Sequence, residues 1–301
     1  MEKIKIAVIA GPTASGKTAL GVEMAKAFDG EVISADSMQI YKGMDIATAK
    51  PTAEEMQGIP HHLIDLLDRS QSFSVADYVE LANEKIREVS GRGHLPIIVG
   101  GTGLYISSLV DNVKFPDIKT SPEIRKRIEK EIEESGAEAV FAKLEKYDPE
   151  TAAELHPNNL VRVIRALEVF ELTGRKLSEF KAESRLEESP YESVIIGLNF
   201  SDRQKLYDRI NKRADIMIEN GLIAESKKVF ESGEMKTAAN AIGYKELIPY
   251  FRGEASLDEC IDKIKQETRR YAKRQLTWFR KNAKIQWIML DEFDNTEKIS
   301  E

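Results

Sequence analysis

Residues 4–18 read IKIAVIAGPTASGKT, an apolar run followed directly by a complete G-x-x-x-x-G-K-[ST] motif. A glycine-rich turn lets successive backbone N–H groups point inward, and the helix after it directs its positive end to the same place. Lys17 adds a positive charge there, and the hydroxyl of Thr18 can hold Mg²⁺. We therefore predict a phosphate-binding loop made of Gly11, Pro12, Thr13, Ala14, Ser15, Gly16, Lys17 and Thr18.

The residues after the motif have the spacing of a helix. Leu20, Met24 and Phe28 recur every four residues, which predicts a helical stripe buried against the rest of the protein. A strand before the loop and a helix after it are the context that this motif needs.

The composition is that of a globular chain. Its 301 residues, 42% of them hydrophobic, are enough for one large domain or two modest ones. No apolar stretch approaches the roughly 18 residues of a membrane span, and no signal peptide is visible, so we expect no membrane contact and a cytoplasmic location. One cysteine, Cys260, excludes an intrachain disulfide and a Cys-based zinc finger, and four scattered histidines give no metal-ligand spacing.

The charge of the chain is unevenly distributed. A net charge of −7 argues weakly against a nucleic-acid partner, because phosphate backbones favour basic surfaces. Residues 263–284, however, hold nine basic residues and one acidic residue, a local charge of +8. A basic binding face and an ordinary solvated helix face are both compatible with this segment.

The first third of the chain alternates apolar strands with amphipathic helices. Strands are expected over residues 4–10, 31–35 and 95–99, which predicts an α/β fold with a parallel sheet. Ligands of such sheets bind beyond the carboxyl ends of the strands. The turns at residues 11–18, 36–37 and 100–103 should therefore converge on one crevice.

From about Ser121 the character changes to charged helices, expected over residues 123–146 and 159–181. A strand at 193–200 then rejoins the sheet, helices continue to about Lys281, and residues 287–290 form a last short strand. We predict a P-loop NTPase-like α/β core with a parallel sheet flanked by helices, made of residues 1–118 and 190–301 with basic C-terminal helices. Residues 119–189 form an all-helical insertion domain.

Two polar residues follow strands of this core. Asp36 ends the strand at 31–35, where its carboxylate can be a base or a metal partner, or simply cap a turn. The run at 96–103, PIIVGGTG, resembles a Walker B strand but has glycines where most P-loop ATPases have a metal-binding aspartate. Thr102 can donate to a phosphate or bridging oxygen there, while the glycines can also serve only a tight turn.

Further candidates lie on the helices. Arg125, Arg162 and Arg165 suit a phosphate backbone or a pyrophosphate, although a lone arginine is more often a solubilising residue. The segment at 240–245, NAIGYK, combines a permissive glycine with Tyr244 and Lys245, a plausible contact for an unstacked base. Packing of Tyr244 in the core is an equally good interpretation.

Taken together, these segments resemble the tRNA dimethylallyltransferases over nearly the whole chain. The resemblance rests on the order and spacing of the motifs at residues 11–18, 34–41, 100–105, 156–158, 162–165, 243–244 and 273–275. It implies transfer of a dimethylallyl group from dimethylallyl pyrophosphate to the N6 amine of the adenosine 3′ of the anticodon, with release of pyrophosphate. The single cysteine makes the chain similar to bacterial members, since eukaryotic ones often carry a zinc finger.

The resemblance also implies a role for each matching residue. Lys17, Asp36 and Thr102 would be catalytic, and Asp36 would accept the proton of the amine. Mg²⁺ would be held at Thr18, and the reaction would not need ATP. The base would be flipped out of the anticodon stem-loop, and the insertion would grip the loop. The tRNA contacts would be Asp36, Ser37, Met38, Gln39, Thr102, Arg125, Val161, Arg162, Val163, Ile164, Arg165, Asn240, Ala241, Ile242, Gly243, Tyr244 and Lys245. We expect a monomer without an obligate protein partner.

Two other function classes are compatible with a phosphate loop. A small-molecule kinase would also be an α/β protein with a helical insertion, and Arg162 and Arg165 could be its lid arginines. The glycines at 100–101 and the basic C-terminal helices argue against a kinase. A nucleotide-dependent switch would need an element that senses the γ-phosphate, and no such motif follows the loop.

Overall fold

The computed structural model describes residues 2–116, 118–184, 186–233 and 241–293. The chain folds as two compact units, Met1–Val110 with Pro190–Glu301, and Asp111–Ser189. The elements are, in chain order, β1 (Ile4–Ala10), α1 (Lys17–Ala27), β2 (Gly30–Ser34), α2 (Ala53–Met56), β3 (His61–His62), α3 (Val75–Gly91), β4 (Leu95–Gly100), α4 (Gly103–Val110), α5 (Pro122–Ser135), α6 (Ala137–Tyr147), α7 (Pro149–Ala153), α8 (Leu160–Thr173), α9 (Leu177–Glu183), β5 (Tyr191–Asn199), α10 (Arg203–Glu219), α11 (Leu222–Ser232), α12 (Ile248–Phe251), α13 (Leu257–Phe279) and β6 (Ile285–Met289).

The first unit is built on a parallel sheet. Its described residues form six strands in the order β3-β2-β4-β1-β5-β6, and every neighbouring pair is parallel. Ile6 and Val8 of β1 pack in one apolar cluster, whereas Ala7 and Ile9 pack in another. Both faces of the sheet are therefore buried, which explains why the strands read as continuous apolar runs.

The predicted strands are present close to their expected positions, as β1, β2, β4, β5 and β6. The α/β fold with a parallel sheet flanked by helices is thus confirmed. The sequence analysis missed β3, a two-residue strand in which His61 pairs with Val32 and His62 with Ile33. Two residues are too few for a periodic apolar pattern.

The predicted buried stripe of α1 is wrong in part. Phe28 is 59% exposed, and the fully buried positions of the helix are Gly21, Val22 and Ala25. A Cβ atom on Gly21 would lie 2.8 Å from a methyl group of Val99, so the helix approaches the sheet too closely for large side chains on that face. Leu20 and Met24 of the predicted stripe pack, partly buried, against the apolar cluster on this side of the sheet.

The second unit is helical throughout its described residues. Ser121 caps α5 through its side chain, and the unit has its own core, which includes Ile128, Val140, Leu144 and Val163. Each of the two predicted long helices is divided into two, the first at Gly136, where φ is +85°. Inside the unit, Asn112 Nδ2 donates to the Glu188 carbonyl at 3.1 Å.

None of the helices in the described residues combines the length and the apolar character that a membrane span needs.

Candidate functional site

A crevice of about 330 Å³ lies in the first unit, beyond the carboxyl ends of β1, β2 and β4. The three turns that were predicted to converge all contribute to its wall, through Lys17, Asp36 and Gly101 among others. Helices α10 and α13 supply further wall residues, including Arg213 and Arg274. The crevice therefore draws on segments from both ends of the chain.

The phosphate loop is held in place by its own side chains and by two helices. The Ser15 hydroxyl donates to the Pro12 carbonyl at 2.8 Å. Arg209 of α10 donates through Nε to the Ala14 carbonyl at 2.9 Å. The Thr13 N–H donates to Gln275 Oε1 of α13, also at 2.9 Å.

Lys17 begins α1 and turns back over the loop, donating through Nζ to the Pro12 carbonyl at 2.6 Å. Burial lowers the pKa of its ammonium group to about 7, repulsion from Arg213 acts in the same direction, and attraction to Asp36 opposes the shift. Near pH 7, the loop without an anion therefore carries Lys17 in both charged and neutral forms.

Arg213 adds a second cation to the crevice. It lies four residues after Arg209 on α10, so both side chains point from the same helical face. Its guanidinium forms no hydrogen bond or ion pair within the described residues. Burial lowers its pKa, whereas Asp36 acts to raise it. A half-buried cation that forms no hydrogen bond or ion pair within the described residues favours an anionic ligand.

Asp36 and Thr102 follow two neighbouring strands, β2 and β4. Asp36 Oδ1 accepts hydrogen bonds from the N–H groups of Met38 and Gln39, at 2.9 and 3.4 Å. Thr102 Oγ1 accepts from the Ser37 N–H at 3.1 Å. Asp36 Oδ2 forms no hydrogen bond with the described residues, so this carboxylate stabilises a turn and still presents one oxygen atom to a ligand.

The glycines after β4 are required by close packing. A Cβ atom on Gly100 would lie 2.2 Å from the Ala35 carbonyl oxygen, and one on Gly101 would lie 2.2 Å from Gln275 Nε2. Backbone atoms of Ala35 leave no room for a side chain at Gly100, and a side chain at Gly101 would have to displace the Gln275 amide. The turn approaches the Asp36 turn closely.

The crevice also has apolar lining residues. They include Val32, Pro51 and Val99, as well as Ile210, Ala214, Met217 and Ile264 of the helices α10 and α13. Charged groups and apolar side chains in one crevice suit a ligand that joins a phosphate to a hydrocarbon.

Ser37, Met38 and Gln39 also line the crevice. The amide of Gln39 is engaged inside the protein: Oε1 accepts from the Ser34 hydroxyl, and Nε2 donates to the carbonyls of Thr48 and Ala49. Gln39 therefore fixes the loop that forms the adjacent wall.

The predicted segment at 240–245 is brought to the crevice in part. Ala241, Ile242, Gly243 and Lys245 line it. Tyr244 is only 2% exposed and packs in the core, which favours the packing interpretation over base stacking. Asn240 lies outside the described residues.

Two of the predicted arginines of the second unit converge on a buried carboxylate. Arg125 and Arg165 both donate to Glu168, which is completely buried and also accepts from the Ser121 N–H. Burial acts to raise the pKa of Glu168, but these hydrogen bonds outweigh it and hold the pKa below its usual value. Both arginines therefore have a structural partner.

Helix α8 carries the other predicted residues of this unit. Val163 and Ile164 are buried in its core, so they are not available as surface contacts. Val161 is 77% exposed, and Arg162 is exposed without a side-chain partner among the described residues. Of the predicted run, these two remain free to meet a ligand.

Sequence reasoning missed Arg209 and Arg213 as site residues. Their spacing on a predicted helix is the only signal, and surface arginines have the same spacing. Gln275 lies in the motif at residues 273–275, but the sequence alone indicates no role for it, because only the fold brings α13 to the phosphate loop.

Comparison with known proteins identifies the relatives of this chain. A family model described as IPP transferase matches residues 39–282. A tRNA dimethylallyltransferase of a Thermoanaerobacter species is 51% identical over 299 residues, which cover 98% of this chain and 95% of that protein. The tRNA dimethylallyltransferase of Halalkalibacterium halodurans is 50% identical over 300 residues, 99% of this chain and 95% of that protein.

Solved structures agree. The full-length tRNA isopentenylpyrophosphate transferase from Bacillus halodurans superimposes with a TM-score of 0.74 at 49% identity, covering 99% of this chain and 93% of that one. A eukaryotic dimethylallyltransferase acting on tRNA gives a TM-score of 0.82 at 30% identity, covering 98% of this chain and 77% of that one.

Proposed function

This chain belongs to the IPP transferase family, and from that premise we propose that it transfers a dimethylallyl group from dimethylallyl pyrophosphate to tRNA. The acceptor is the N6 amine of the adenosine 3′ of the anticodon, and pyrophosphate is released. One observation carries the proposal: the phosphate loop and Asp36 line the same crevice, Thr102 Oγ1 accepts from the N–H of the adjoining Ser37, and no carboxylate fits at Gly100.

The pyrophosphate group would lie against the phosphate loop. Its negative charge would face the N-terminus of α1, Lys17 and Arg213. The guanidinium of Arg213 forms no hydrogen bond or ion pair within the described residues. These groups stabilise charge that accumulates on the pyrophosphate as the allylic C–O bond breaks. No ATP is consumed.

Asp36 would serve the acceptor amine. The nitrogen forms a bond to the allylic carbon as the C–O bond breaks, and its surplus proton passes to Asp36 Oδ2, the oxygen that the turn leaves free. The aromatic amine is a weak nucleophile, so holding it close to the carbon supplies much of the rate. Thr102, held against Ser37, would contact the bridging oxygen.

The donor set is compatible with Mg²⁺. The hydroxyl of Thr18 lines the crevice and has no hydrogen-bond partner among the described residues, and a hydroxyl oxygen next to phosphate oxygens is a usual Mg²⁺ ligand. A bound Mg²⁺ supplies positive charge to the leaving pyrophosphate.

The tRNA would present its target base unstacked, because an adenine inside a stacked loop cannot reach a crevice of this kind. Val161 and Arg162 of the second unit, and Gly243 and Lys245 of the first, are contact candidates that are exposed or line the crevice. We expect a monomer that acts in the cytoplasm, where its substrate is found.

The test is a transfer assay with purified protein, Mg²⁺, labelled dimethylallyl pyrophosphate and unmodified tRNA, without ATP. Nucleoside analysis should find a prenylated adenosine in amounts equal to the pyrophosphate released. Absence of this product, together with ATP turnover on small acceptors, would favour the small-molecule kinase instead.

A further inference from the structure

The amide of Gln275 bridges two separate parts of the crevice. Its Oε1 atom accepts from the Thr13 N–H at 2.9 Å, and its Nε2 atom donates to the Gly101 carbonyl at 2.9 Å. The residue is 5% exposed, so neither hydrogen bond is exchanged for one with water at low cost. Both ends of the amide are thus committed to backbone groups of the site, and the Tyr271 hydroxyl, whose pKa is raised by burial, also hydrogen-bonds with this side chain.

The two segments that Gln275 joins face different reactants. Thr13 belongs to the phosphate loop, which holds the leaving group, and Gly101 precedes Thr102 in the turn that contacts the Asp36 segment. A Cβ atom on Gly101 would lie 2.2 Å from Gln275 Nε2, so the amide occupies the space that a side chain at this position would need. Pairing of Ala10 with Gly100 brings the two turns side by side, and beyond the ends of these strands the Gln275 side chain links them directly.

The helix that carries Gln275 is itself fixed against the same turn. Trp278 Nε1 donates to the Ser107 hydroxyl at 3.0 Å, and a Cβ atom on Gly103 would lie 2.3 Å from the Trp278 ring. Trp278 thereby packs α13 onto the beginning of α4, just after Thr102. Gln275 acts from a rigid support.

We infer that Gln275 is a positioning residue of the transfer reaction, holding the phosphate loop and the Thr102 turn in register. The inference rests on the proposed function. Misplacing reacting groups by about 1 Å can slow a reaction about 100-fold, whereas each reactant can still bind its own half of the site. Loss of the bridge should therefore lower kcat more than it raises either KM.

Two variants separate the loss of the hydrogen bonds from the effect of an added charge. Gln275→Met removes both hydrogen bonds without adding charge, and kcat should fall about tenfold or more at every pH. Gln275→Glu keeps an acceptor for the Thr13 N–H but, when ionised, offers Gly101 no donor. Protonation of that carboxyl restores a donor, so the ratio of its kcat to that of the wild type should rise as the pH falls.

Gln266→Met is the matched control, because Gln266 is exposed on the same helix and its side chain accepts a hydrogen bond from Lys263 at the surface. It should leave kcat within about twofold of the wild type. Binding of inorganic pyrophosphate, measured by calorimetry, should change less than kcat in both Gln275 variants.

The outcomes are distinguishable. A wild-type chain that forms no prenylated adenosine refutes the proposed function. If the wild type is active, an unchanged kcat in Gln275→Met refutes the positioning role, as does a Gln275→Glu to wild-type ratio that does not vary with pH. Should Gln275→Met fail to fold, the pH dependence of Gln275→Glu decides.

Discussion

Asp36 is the residue whose two oxygen atoms have different tasks. Oδ1 accepts from two backbone N–H groups, and Oδ2, which forms no hydrogen bond with the described residues, is the oxygen that we propose for the acceptor amine. Asp36→Asn keeps an oxygen for the turn but loses the base, so we expect kcat to fall about 10²-fold or more while tRNA affinity stays within a few fold. Single-turnover kinetics and filter binding measure the two effects.

The alanine variant extends this test. Asp36→Ala also removes the turn contact, so it should lose at least as much rate as Asp36→Asn and some stability in addition. If affinity and rate fell together in Asp36→Asn, Asp36 would be a binding residue and not a base.

Lys17 links pyrophosphate binding to pH. Its pKa is lowered to about 7 in the free protein, and a bound anion should raise it, so binding takes up protons above about pH 7. Affinity for dimethylallyl pyrophosphate should therefore weaken as the pH rises from about 7 to 9. Calorimetry in buffers of different ionisation enthalpy measures the uptake, and Lys17→Met, with weaker binding, should lack this component.

The stability contributed by Lys17 should depend on pH in the opposite direction to the binding affinity. Because the folded pKa of Lys17 lies below its unfolded value of about 10.5, the unfolded chain binds more protons between these values. The contribution of Lys17 to the free energy of unfolding should rise with pH in this window. Proton uptake equal in wild type and Lys17→Met would contradict both statements.

Some candidate site residues can be predicted from the sequence, and others cannot. Lys17, Asp36 and Thr102 could be predicted because each follows a strand, and strand ends meet at one edge of a parallel sheet. Arg213 and Gln275 could not, because their roles depend on how α10 and α13 pack. Tyr244 was ambiguous, since an aromatic residue beside a glycine suits a core as well as a binding face.

Among the elements, α11 fixes a wall of the crevice through Glu225. Its carboxylate accepts from the N–H groups of Asp45, Ile46 and Ala47 and from the Tyr244 hydroxyl, at 2.8 to 3.0 Å. The segments at 45–49 and 241–245 are thus attached to one side chain.

Glu225→Gln should loosen this attachment, because an amide offers one acceptor oxygen where the carboxylate offers two. We expect the amide hydrogens at 45–47 to exchange with solvent at least about tenfold faster, which hydrogen-exchange mass spectrometry can measure. Glu231→Gln is the control, since Glu231 is exposed on the same helix and pairs with the exposed Lys227. Unchanged exchange at 45–47 would show that other contacts hold this loop.

Elements were predicted unevenly, for physical reasons. Buried parallel strands are continuous apolar runs and were found, whereas β3 owes its existence to pairing with β2 and not to its own pattern. The long helices of the second unit were predicted without their breaks, because charged residues on both sides of Gly136 hide the change of direction.

On the scale of the whole molecule, a chain of net charge −7 has to bind a polyanion. Arg162 is exposed and unpaired within the described residues, so Arg162→Ala should weaken tRNA binding and reduce the salt dependence by about one released ion. Pyrophosphate affinity should stay constant. Binding titrations at several salt concentrations measure this.

Lys85→Ala is the matched control, because it changes the net charge equally at a site that pairs with Glu88. An equal loss of tRNA affinity in both variants would show a general charge effect and not a contact at Arg162.

The overall architecture was more predictable than the second unit's boundaries. The parallel sheet follows from the strand patterns, but the unit begins at Asp111, before any helical signal. The residues that open it are linked by contacts such as Asn112 to Glu188, far apart in sequence.

The order of synthesis gives the bridge between α13 and the phosphate loop a further consequence. Thr13 and Gln275 are 262 residues apart, so a ribosome that adds about 5–20 residues per second makes them roughly 13 to 52 s apart. A nascent chain exposes its phosphate loop and Asp36 for most of that time without the helix that joins them. Premature termination anywhere before α13 should therefore leave a protein without transfer activity, even if its first strands have already formed a sheet.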